Sequence, residues 1–202
     1  MVMNRPLRLQ PYVVLVILSL GSCTPQSRDD HGGHEPEEGK VAVSVAIPLY
    51  ENVDPKIKSQ VAGFLTGYFS LNQALINDSL DGAKVAAAEL SATTVEFDKS
   101  GLSGEQMDFY LVHSSNLRVG LKDISGSDDI EKARLGLATV SEAMYALVKA
   151  FQPNESTLYY QYCPMARNNE GANWLSVTEE LVNPYMGQMM LRCGRTQEKL
   201  EP

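Results

Sequence analysis

The stretch 55–76, PKIKSQVAGFLTGYFSLNQALI, decides the fold. Ile57, Val61, Phe64, Leu65, Tyr68, Leu71 and Leu75 recur at three- and four-residue steps, which puts them on one stripe of an α-helix. Asp54 and Pro55 mark its start, because proline at the first helical position gives up only a donor that has no partner there. Three more helical patterns follow. Residues 79–97 are alanine-rich and place Val85, Ala86, Leu90, Thr93 and Phe97 on one face, with Ser100-Gly101 as the stop. Residues 103–123 open with Ser103 and Gln106 at capping-box spacing, carry Phe109, Val112, Leu117 and Leu121, and end at Gly126. Residues 128–151 take Asp128 as cap and carry Ile130, Leu137, Met144, Leu147, Val148 and Phe151. The links are a few residues long, so neighbouring helices are expected to pack antiparallel. The expected fold class is mainly α: an antiparallel four-helix bundle over 46–152 with a small irregular Cys/Met-rich C-terminal lobe over 153–202. No repeat of about 20 to 50 residues is present, which excludes a solenoid.

Toward the N-terminus, residues 41–50 alternate weakly and read as a short strand or an extended lead-in. Residues 24–40 hold Gly, Pro and charge with nothing apolar to bury, so 23–45 is expected to be a disordered acidic tether. His31 and His34, in His-Gly-Gly-His, are weak candidates for Cu(II) or Zn(II) against the plainer reading of a polar tail. Residues 1–22 have the three parts of an export signal. Arg5 and Arg8 supply the charge, residues 12–20 the apolar run, and Gly21-Ser22 the small residues. The run falls short of the about 20 residues that cross a bilayer. Leu20-Gly21-Ser22-Cys23 resembles the lipobox of bacterial lipoproteins, which implies that Cys23 is lipidated and becomes the mature N-terminus. Asp29-Asp30 faintly resembles surface-export signals of some Bacteroidetes lipoproteins. The implied location is the cell envelope, lipid-anchored at the outer membrane, on its periplasmic or surface face.

Losing 22 of the 202 residues leaves 180, enough for one sizeable core. Losing Arg5 and Arg8 takes the basic residues from 17 to 15 against 25 acidic ones, a formal charge near −10. Such a chain repels phosphate backbones, which argues against a nucleic-acid partner and leaves membrane attachment to the acyl chains of Cys23.

The chemistry lies beyond Pro153. One cluster is Tyr159-Tyr160-Gln161-Tyr162-Cys163-Pro164-Met165-Ala166; another is Asn183-Pro184-Tyr185-Met186-Gly187-Gln188-Met189-Met190-Leu191-Arg192-Cys193-Gly194. Of six methionines outside the signal, four fall between 165 and 190. Thiolate and thioether are soft donors that select Cu(I) or Ag(I) over hard cations. Cys163 and Met165 are two apart; Met190 and Cys193 share a face if a short helix runs over about 184–193. The metal candidates are therefore Cys163, Met165, Met190 and Cys193, with Met186 and Met189 weaker. Two bland readings stand beside them. Cys163 and Cys193 form a disulfide, or the methionines fill an irregular core together with Trp174, Leu175 and the tyrosines. A reduced pair binds Cu(I) and an oxidised pair does not, so the first alternative and the metal reading are two states of one pair.

Cys-Pro-Met, then Gly171-Ala172-Asn173-Trp174-Leu175-Ser176, then the Asn-Pro-Tyr-Met to Cys-Gly run together resemble the DUF3347 family, over roughly 55–195. The resemblance implies a small exported protein, or a domain of the kind appended to periplasmic adaptors of heavy-metal efflux pumps. Such an adaptor is the implied partner. The Tyr-Gln-Tyr-Cys-Pro-Met run is also similar to the Tyr-x-Cys-Pro-Met-His element of copper and silver efflux adaptors. Ala166 stands where that element has histidine, so one implied ligand is missing.

No enzyme motif is present. There is no Gly-rich phosphate loop, no Gly-x-Ser-x-Gly and no His-Glu-x-x-His, and His113 has no sequence link to either cysteine. The expected function is an extracytoplasmic lipoprotein that binds a soft metal ion, Cu(I) foremost, for buffering or transfer. The rival is a disulfide-stapled structural or interaction module with no metal role and no cofactor. The oligomeric state is left open.

Overall fold

The structure, a computed structural model, describes residues 46–202. The expected signal peptide, Cys23, His31, His34 and the whole of the expected tether, 23–45, lie outside the described residues. The chain from 46 onward is mainly helical, with a three-stranded antiparallel sheet at its C-terminal end. Four long helices, α1 (Pro55–Ile76), α2 (Leu80–Val95), α3 (Gly104–Ser125) and α4 (Ile130–Phe151), precede the strand β1 (Leu158–Cys163). The four-residue α5 (Ala166–Asn169), β2 (Ala172–Ser176) and β3 (Arg195–Leu200) complete the order. Residues 46–50 form no strand, and Tyr50 N–H donates to the Ala150 carbonyl at 3.1 Å, tying the lead-in to α4.

The helix starts follow from local chemistry. The Asp54 carboxylate accepts from Lys56 N–H at 2.8 Å, with Pro55 next in line. Ser103 and Gln106 form the full capping box at the head of α3. Such caps are worth about 1 kcal/mol each. The α4 cap is Asp129, which accepts from Lys132 N–H at 2.8 Å, and not the expected Asp128, which pairs instead with Lys132 Nζ at 2.7 Å.

All seven apolar stripe residues of α1 are buried. The α2 and α3 stripes need correction. Val85, Thr93 and Val112 face solvent, and the buried face of α2 is Ala83, Ala86, Ala87, Leu90 and Thr94. In an alanine-rich helix the period is weak, and two valines do not outweigh a face of small residues that lets neighbours approach. The same economy holds α3 against α4. A Cβ on Gly120 would stand 2.9 Å from the Gly136 carbonyl oxygen, so both glycines are needed for that contact.

The C-terminal lobe is not irregular. Strand order is β2-β1-β3, both pairs antiparallel, with Gln161 opposite Trp174 and Cys163 opposite Ala172. The outer edge of β2 is fastened by side chains: Tyr68 Oη accepts from Leu175 N–H at 3.0 Å, Asn72 Nδ2 donates to the Leu175 carbonyl at 3.3 Å, and Tyr185 Oη donates to the Asn173 carbonyl at 2.6 Å. Tyr160 of β1 stacks on Tyr145 of α4, centroids 3.8 Å apart. Buried residues from Val53 to Leu200 belong to one apolar cluster, so sheet and helices share a core. Among the described residues no helix is long and apolar enough to cross a membrane.

Candidate functional site

Two of the four leading site residues meet. Cys163 Sγ and Cys193 Sγ lie 3.2 Å apart, although 30 residues separate them. Cys163 ends β1 and is fully buried; Cys193 lies just before β3 and is partly exposed. A disulfide brings sulfurs to about 2.0 Å. Two thiolates on one tetrahedral ion with ~2.3 Å bonds stand ~3.8 Å apart. The observed spacing falls between the two. Hydrogen bonding with the Cys163 thiol, then burial, pushes the Cys193 thiol above its ordinary value.

The loop that delivers Cys193 is held by Asn183, which is 0% exposed. Asn183 Nδ2 donates to the Cys193 carbonyl at 2.8 Å, its Oδ1 accepts from Tyr185 N–H at 2.8 Å, and its backbone N–H donates to the Leu191 carbonyl at 2.9 Å. These bonds close a compact loop in place of the helix expected over 184–193, of which only a 3-10 turn at Gly187–Met189 forms. Gly194 finishes the approach. Its φ is +140°, and a Cβ there would sit 2.6 Å from the Tyr162 carbonyl oxygen, so only glycine lets this strand lie against β1. Arg134 braces the loop from α4: its Nε donates to the Pro184 carbonyl at 3.1 Å and Nη2 to the Leu75 carbonyl at 3.0 Å, while Asp78 and Glu131 balance its charge.

The methionines are placed differently. Pro164 and α5 turn the chain from β1 to β2 through three consecutive left-handed residues, Arg167, Asn168 and Asn169, with φ of 55°, 57° and 72°. That conformation costs non-glycine residues roughly 1–2 kcal/mol each, least for asparagine. Met165 emerges at this turn, 43% exposed, and shares the wall of a cavity of about 340 Å³ with Met186, Tyr185, Arg134 and Arg167. Met190 is 39% and Met189 79% exposed, and neither lines that cavity. Met190 stays near Cys193 through its carbonyl, which accepts from Cys193 N–H at 3.1 Å. The core-filling reading therefore holds for Trp174, Leu175, Tyr185 and in part Met186, and fails for Met165, Met189 and Met190. Among the described residues no group of three or more His, Cys, Asp or Glu side chains is gathered as for a metal ion. His113 sits half-buried against Phe109, and burial lowers its pKa.

As an arrangement, this is a dithiol with one wet and one dry sulfur. It can release two protons to hold a soft cation, or two protons and two electrons to an oxidant to form a bond. Sequence reasoning missed Asn183, Gly194 and Arg134. The first two stand inside the quoted motif, where Asn183-Pro184 reads only as a turn; Arg134 reads as a surface residue of a helix.

No curated protein and no solved structure matches the chain. A family model does match over residues 64–156, from the middle of α1 to just before β1, and so ends ahead of both cysteine clusters. The model that matches residues 64–156 is that of the DUF3347 family, described as a protein of unknown function, and it is the family that the three motifs resemble.

Proposed function

We propose that this chain is a lipid-anchored extracytoplasmic protein whose Cys163 and Cys193 thiolates bind a soft metal ion, Cu(I) foremost, for buffering or for transfer to a heavy-metal efflux adaptor. The observation that carries the reading is the 3.2 Å approach of two sulfurs so distant in sequence. Opening the pair by roughly half an ångström reaches the spacing of two metal-bound thiolates. Met165 and Met190 are the thioether donors of the proposal, with Met186 and Met189 behind them. Their support is exposure together with nearness in the chain: Met165 follows Cys163 by two residues, Met190 precedes Cys193 by three, and both side chains are left in water. The role is binding, without catalysis. Residues 1–22 are the signal, 23–45 the tether, 46–152 an antiparallel four-helix bundle and 153–202 the remainder of the same domain.

Copper binding displaces thiol protons, so affinity rises with pH, and the raised Cys193 value extends that rise above the ordinary 9.0. The test uses mature protein, reduced and handled without oxygen, in Cu(I) competition with a colorimetric chelator. One Cu(I) per chain is expected, lost in Cys163→Ser and in Cys193→Ser. Met165→Leu and Met190→Leu are expected to weaken binding about tenfold, ~1.4 kcal/mol, with helicity unchanged. No copper uptake by the fully reduced protein removes the reading. Accumulation of uncleaved precursor when lipoprotein signal peptidase is blocked, and loss of the membrane fraction in Cys23→Ala, test the anchor.

The same separation favours a second reading, a disulfide staple. Closing from 3.2 Å to the bonded distance joins β1 to the start of β3 across 30 residues, which stabilises by about 3–4 kcal/mol. Thiols unreactive before reduction, together with no copper uptake after it, select the staple.

A further inference from the structure

The sulfur pair has an inside and an outside. Cys163 is 0% exposed. It stands opposite Ala172 at the end of the central strand β1 and belongs to the shared apolar core. Cys193 keeps part of its surface in water and sits in the loop just before β3. Thiol–disulfide exchange begins with attack of a thiolate on a disulfide sulfur and passes through a mixed disulfide, so access decides which thiol attacks. A small oxidant meets Cys193 from water and reaches Cys163 only if the core opens. A group carried on Cys193 has solvent to occupy, while Cys163 Sγ waits 3.2 Å from Cys193 Sγ. The remaining approach, to the about 2.0 Å of a bond, falls to the loop, because β1 is paired along both of its edges.

We propose that Cys193 is a modification site for small-molecule disulfides and that Cys163 resolves the adduct. In the first step the Cys193 thiolate attacks one sulfur of a disulfide RSSR. The Cys193–SR bond forms, the S–S bond of the oxidant breaks, and one thiolate RS⁻ leaves and takes up a proton. In the second step the Cys163 thiolate attacks Cys193 Sγ. The Cys163–Cys193 bond forms, and the second RS⁻ leaves and takes up a proton. The pair gives up two protons and two electrons, and one RSSR becomes two RSH. The inference uses the sulfurs of the metal reading but no metal, so either can fail without the other. It differs from a static staple in that the bond is made in the folded protein, by exchange, in a fixed order.

The test uses mature protein carrying Cys23→Ala, so that Cys163 and Cys193 are its only cysteines. The protein is reduced, freed of reductant and treated with oxidised glutathione in the presence of a metal chelator and without oxygen. Samples are quenched with acid and their intact masses measured. With both cysteines present, the protein is expected to lose both thiols and release two glutathiones per chain, with an adduct seen only in passing. Cys163→Ala should stop at one stable glutathione adduct on Cys193. Cys193→Ser should take up none while folded and one in urea, since its remaining sulfur is buried. Should either variant not fold, peptide mapping of the early adduct in the two-cysteine protein decides: glutathione on Cys193 upholds the order, and glutathione on Cys163, or on neither, overturns it. An adduct that persists with Cys163 present, folded Cys163→Ala that takes up no glutathione, or equal uptake by the two folded variants also overturns the proposal.

Discussion

In α1 every one of the seven apolar stripe positions from Ile57 to Leu75 is buried, whereas in β3 only Leu200 of six residues is. The helical region is held by side chains that repeat. The region after Pro153 is held by side chains that occur once: Asn183 on the Cys193 carbonyl, Tyr185 on the Asn173 carbonyl, Arg134 on the Pro184 and Leu75 carbonyls. Repetition spreads stabilisation over many contacts, so each is replaceable. A polar side chain that satisfies a buried carbonyl has no understudy, because removing it leaves the carbonyl unpaired.

The comparison can be broken at three points. The largest effect is expected from Leu71→Ala in α1, about 3 kcal/mol by urea unfolding, through the cavity it opens. One transition should report both helices and sheet, since they share one apolar cluster; a separate early loss of the tyrosine signal would show that they do not. Asn183→Ala comes next, at about 2 kcal/mol. Its signature is local: faster alkylation of Cys193 in native protein than Leu71→Ala produces at equal stability. Equal rates in the two variants would deny Asn183 its positioning role. The smallest effect belongs to Glu198→Gln. Glu198 bonds Lys149 Nζ at 2.7 Å and also accepts from Tyr145. Burial works to raise the Glu198 carboxyl, and its bonds to Lys149 and Tyr145 outweigh it, so the group is held below its ordinary 4.5. Its contribution is thus present above that value and fades as pH falls through the lower folded value. At neutral pH the substitution should cost under ~1 kcal/mol, as partly exposed pairs do, and at pH values below both titrations the difference should vanish. A difference that grows on acidification would reverse the sign.

What was legible in the sequence follows the same division. The α1 stripe, the Asp54–Pro55 start and the Ser103–Gln106 box are local signals, each complete within a few residues, and the structure has all of them. The α2 face was misread because alanine carries little burial preference of its own, so its side was set by neighbours. The strands were missed for a related reason. Arg-Thr-Gln-Glu-Lys-Leu in β3 is an outer strand with almost nothing to bury, and Tyr-Tyr-Gln-Tyr in β1 has no alternation, since both of its faces touch other parts of the protein. The approach of Cys163 to Cys193 was an expectation from donor chemistry. The means of that approach, a buried amide and a glycine at φ +140°, leave no periodic trace.

The sheet has two outer strands, and the chain disposes of them in opposite ways. One rim is plugged by a phenol from α1, an amide from α1 and a second phenol from the loop; the other presents Arg195, Glu198 and Lys199. Neither rim offers an uncharged row of open peptide groups to a neighbour, so copies crowded onto one surface have no ready template for stacking strand upon strand.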